Sequence, residues 1–155
     1  MITPLMIQVA AAVVLLTFIW VAVQKASEEG FFATLCTMGV LYAAYRFAYV
    51  QWEASYRILE RNLEMDTASA VSAAYWIGFF LVILPGMLYV RLLTREKVPF
   101  PIQVEKWGGI TAGAVCGILL FGVVLNSITR FAFYESHLQG AMGHFRLLLD
   151  WIAIL

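Results

Sequence analysis

The sequence predicts an all-α integral membrane protein with four transmembrane helices and a C-terminal amphipathic helix lying at the interface. Three observations carry this reading. The 155 residues are 63% hydrophobic and 13% charged, with a mean hydropathy of +0.84, well above the roughly 45–50% apolar content of ordinary soluble domains. Four stretches of about 20 residues or more hold at most one charge each, enough to cross a hydrocarbon core of about 30 Å. After the fourth, apolar residues recur at spacings of three and four between charges, the pattern of an interfacial helix. The chain therefore reads as a single membrane domain, 1–155. Its ten basic and ten acidic residues cancel, so no excess positive field exists to attract nucleic acid.

The first span, 3–23, falls in a stretch with no charged side chain before Lys25. A cleaved signal peptide would need a basic start, a shorter apolar segment and a small-residue cleavage site, and the sequence has none of these. A short polar link, 24–29, leads to the second span at 30–52. Arg46 interrupts this span close enough to its end for the side chain to snorkel to the interface. Beyond it, Trp52, Tyr56, Leu59 and Leu63 keep one apolar helix face, while Glu53 and Arg57 have i, i+4 spacing. A helix protruding in this way calls for a partner surface, with the headgroups or the chain itself as alternatives.

The third span, 67–90, contains Pro85 and Gly86, where a lost backbone hydrogen bond and a flexible neighbour predict a kink. Arg91, Arg95, Lys97 and Lys106 then cluster around Pro99 and Pro101 in the linker 91–106. By the positive-inside rule this linker is cytoplasmic, placing both chain ends and the segment 53–66 on the opposite side. The fourth span, 107–128, carries Gly109, Gly113 and Gly117 at every fourth position. On a helix these form one smooth face, to which another helix backbone can come close in lipid. The tail, 130–155, with Phe131, Tyr134, Leu138, Met142, Phe145, Leu149 and Ile152 on one stripe, is the amphipathic helix.

Little in the chain suggests chemistry. His137 and His144 lie two turns apart, roughly 10 Å along a helix axis, too far to share a metal ion. Cys36 and Cys116 fall inside apolar stretches without metal-ligand spacing, and the acidic residues cluster near span ends and in loops. Neither a nucleophile elbow, a phosphate-binding loop nor a zinc motif is present. The expectation is a protein that is not an enzyme and takes no cofactor.

Glu105-Lys106-Trp107-Gly108-Gly109, followed by Gly113 and Gly117, resembles the motif opening the last span in the colicin V production protein family, small inner-membrane proteins with four spans. Glu29-Gly30-Phe31 resembles that family's basic-Gly-Phe start to the second span, with Glu29 in place of the basic residue. The amphipathic end at Phe145-Arg146-Leu147-Leu148-Leu149-Asp150-Trp151 is similar too, whereas the family's early acidic residue in the first span has no counterpart here. The resemblance implies a bacterial inner-membrane protein linked to toxin export or envelope maintenance. On these grounds the expected function is a non-catalytic membrane subunit or scaffold. It would contact lipid and other integral membrane proteins, or further copies of itself, through the Gly109, Gly113, Gly117 face and the Trp52–Leu63 extension. The alternative is a small homo-oligomeric channel or transporter, with Arg46 and Pro85-Gly86 lining a path.

Overall fold

The computed structural model describes residues 4–95 and 98–134, with side chains over 8–95 and 98–128. Four helices follow in order: α1 (Pro4–Glu29), α2 (Phe31–Leu63), α3 (Thr67–Leu93) and α4 (Ile102–Tyr134). Each is long and apolar enough to cross a membrane, and the described residues contain no strand. Helices suit this role because each satisfies its backbone hydrogen bonds within its own segment, which hydrocarbon demands. The C-terminal amphipathic helix expected at 130–155 lies outside the described residues beyond Tyr134; up to that point α4 simply continues.

The helices are longer than the predicted spans. The polar link expected at 24–29 is helical to Glu29, where Lys25 and Glu29 pair at 3.6 Å, so Gly30 alone joins α1 to α2. A polar sequence ends a transmembrane span without ending the helix, because the helix continues wherever its carbonyls and amides still pair. Gly30 can make the reversal because its φ of 91° and ψ of 164° lie in a region open almost only to glycine. Similarly, α4 starts at Ile102, several residues before the apolar stretch, with the Glu105 amide donating to the Pro101 carbonyl at 3.0 Å.

The turn between α2 and α3 is built from local polar groups. Glu64 closes α2 in the left-handed conformation, and the Asp66 carboxylate accepts from the Ser69 amide at 3.1 Å, capping α3. Across the turn the Thr67 hydroxyl donates to Glu60 Oε1 at 2.6 Å. The Ser69 contacts hold the Asp66 carboxyl below its ordinary range. A depressed pKa adds stability above the unfolded-state value, and that stability disappears as pH falls through the folded-state value. Asp66→Ala is therefore expected to lower the thermal midpoint at neutral pH, with the gap from wild type closing in acid. A pH series of melts in detergent would check this, and a gap unchanged down to strongly acidic pH would refute the capping role.

Packing places α4 at the centre, against each of the other three helices, while α2 and α3 form a close antiparallel hairpin. Leu41, Ala44, Tyr45 and Ala48 of α2 meet Tyr75 and Phe79 of α3 and Cys116, Leu119 and Val123 of α4 in one buried cluster. On the other side of α4, Phe121 and Leu125 pack with Ala11, Leu15 and Phe18 of α1. Among the described side chains of α1 only Ala26 is fully buried, so this helix is peripheral and touches α4 far more than α2. The helices alternate in direction. The Gly30 junction and the α3–α4 linker share one end of the bundle, the linker end, and the α2–α3 turn lies at the opposite end.

Candidate functional site

The glycine face of α4 is already occupied. An added Cβ at Gly117 would meet the backbone of Ile19 at 2.5 Å from Cα and 2.8 Å from N; at Gly113 it would lie 2.8 Å from Ala26 Cβ and 3.0 Å from Val23 Cα. At Gly109 the nearest atom is the Ala26 carbonyl oxygen at 3.7 Å, an ordinary contact. The helix packing expected at this face is thus made with α1 of the same chain at Gly113 and Gly117. Continuing along the same fourth-residue ridge, Phe121 and Leu125 replace the glycines. Close backbone approach at 113–117 gives way to side-chain packing, so the seam has a tight half and a filled half.

The extension of α2 also packs in part on its own chain. Trp52 is half-buried and packs on the main core cluster, Tyr56 stacks on it with centroids 5.7 Å apart, and Leu59 is also half-buried. Of the four residues expected to meet a partner, only Leu63 is exposed, at 61%. The extension is amphipathic because it lies along its own neighbour in the hairpin, so its apolar face turns inward.

Pro85 and Gly86 lie in a stretch of α3 that stays helical from Thr67 to Leu93. Pro85 is exposed, whereas Gly86 takes the Val40 side chain of α2 into the space where a Cβ would stand. Arg46 is half-buried. His137 and His144 lie outside the described residues. Among the described residues no three histidine, cysteine, aspartate or glutamate side chains converge as metal ligands. Cys36 and Cys116 are both free thiols, and Cys116 Sγ lies 3.9 Å from the Thr34 carbonyl.

The linker end carries an arrangement that sequence reasoning did not assemble. Glu105 Oε1 accepts from the Phe31 amide at 3.1 Å, supplying the side-chain cap that Gly30 cannot provide to α2. A carboxylate suits a helix N-terminus, where the unpaired amides present partial positive charge. Glu105 Oε2 is buried without a hydrogen-bond partner. The Phe31 ring covers Gly108, where an added Cβ would lie 2.6 Å from it, and Phe31 meets Phe100 edge-on at 5.5 Å. Thr34 donates back to the Gly30 carbonyl at 2.8 Å. Beside this junction Ser27, Glu28, Glu29, Gly30, Thr94 and Glu105 line part of a pocket of about 120 Å³.

Glu29-Gly30-Phe31 and Glu105 to Gly109, singled out separately in the sequence, are therefore two halves of one contact. Their separation of 74 residues hid this; the only available signal was an uncapped glycine helix start and a glutamate without an obvious role. No protein-family profile, curated protein or solved structure matches the chain. The resemblance to the colicin V production family rests on its sequence motifs alone.

Proposed function

We propose that this protein is a non-catalytic membrane subunit or scaffold that binds another integral membrane protein through the outer face of α2. The observation that carries this is an open glycine. At Gly39 no atom of another helix lies within 4 Å of the Cβ position, in contrast to the filled positions at Gly113 and Gly117. Ala43 follows at the next fourth position and is exposed, leaving a small-xxx-small notch of the kind at which membrane helices approach closely.

The notch belongs to a longer stripe. Leu35, Phe47, Val50 and Ile58 are all exposed on α2, Val50 at 69% and Ile58 at 60%. The 33 residues of α2 span about 50 Å at about 1.5 Å per residue, against a hydrocarbon core of about 30 Å. Lipid accounts for the middle of this stripe, but an apolar residue held beyond the hydrocarbon favours a protein surface. The family resemblance supports a bacterial inner-membrane setting and a role in toxin export or envelope maintenance, and the positive-inside rule supports a basic linker facing the cytoplasm. In the channel reading, Pro85 faces outward and Gly86 is filled by Val40, so the path would have to run between copies.

Gly39→Leu is expected to leave insertion and the melting midpoint nearly unchanged while removing a co-purifying membrane protein from mild-detergent extracts. Retention of the same partner in the same amount would overturn the proposed contact face. Flux through liposomes holding only the purified chain would instead favour the channel.

A further inference from the structure

We draw no further inference here: the strongest candidate, the pocket lined by Glu28, Glu29 and Glu105 at the start of α2, joins an acidic cluster to a helix N-terminus, features that favour ligands of opposite charge, and Glu105, whose Oε2 has no partner, is itself only partly buried and points to neither.

Discussion

Gly117→Ala is expected to destabilise the protein by about 1–3 kcal/mol, the usual cost of overpacking a close contact. Elsewhere in a helix the same change stabilises, since glycine is about 1 kcal/mol worse than alanine in a helix interior. The sign reverses because the new methyl would lie 2.5 Å from Ile19 Cα and 2.8 Å from its nitrogen. Those are backbone atoms, so no rotamer change relieves the clash and α1 must move as a body. Gly113→Ala is expected to cost less, because the atoms it would meet lie farther off, Ala26 Cβ at 2.8 Å and Val23 Cα at 3.0 Å. Gly109→Ala, with its nearest atom at 3.7 Å, should be neutral or mildly stabilising. Thermal melts of the three variants in one detergent test the order. Equal effects at all three positions would show that α1 does not lie against the glycine ridge as described.

Gly30→Ala should have a comparable effect for a different reason. A residue with a side chain at φ 91° and ψ 164° carries about 1–3 kcal/mol of backbone strain. Its Cβ would also stand 2.5 Å from Glu105 Oε1, displacing the carboxylate that caps Phe31. The two costs can be separated. Glu105→Ala alone should cost about 1.5–3 kcal/mol, the range for losing a hydrogen bond to a charged group, lessened by release of a buried oxygen that has no partner. In the Glu105→Ala background, Gly30→Ala should then cost less than in wild type, leaving the strain alone. A double-mutant cycle of melting free energies reads that difference as a coupling. Additivity would mean that the carboxylate and the glycine do not share a contact.

Much of the fold was legible because a membrane helix is a local object. Among the described residues, the number and order of the helices long and apolar enough to cross a membrane followed from runs of uncharged residues, while helix ends differ from the expected span ends at 24–29 and before 107. There the apolar run stops while the backbone hydrogen bonds continue, so hydropathy and helicity mark different boundaries. The junction at Glu105 was not legible, because a capping carboxylate is recognised by the helix end it faces and not by its own neighbours. For Trp52, Tyr56 and Leu59, periodicity identified an apolar face correctly but could not say whether it turned outward or along α3.

The same distinction separates the two glycine positions on which the functional reading turns. The sequence by itself determined that Gly109, Gly113 and Gly117 share a helix face, since that follows from 3.6 residues per turn. The same spacing puts Gly39 and Ala43 on one face of α2, but nothing in the sequence set that face apart. Only the tertiary structure decided that α1 fills the first face and that the second stands open. In hydrocarbon all apolar faces are nearly equivalent, so which helix meets which depends on the shape fit of whole backbones, and period carries no record of that fit.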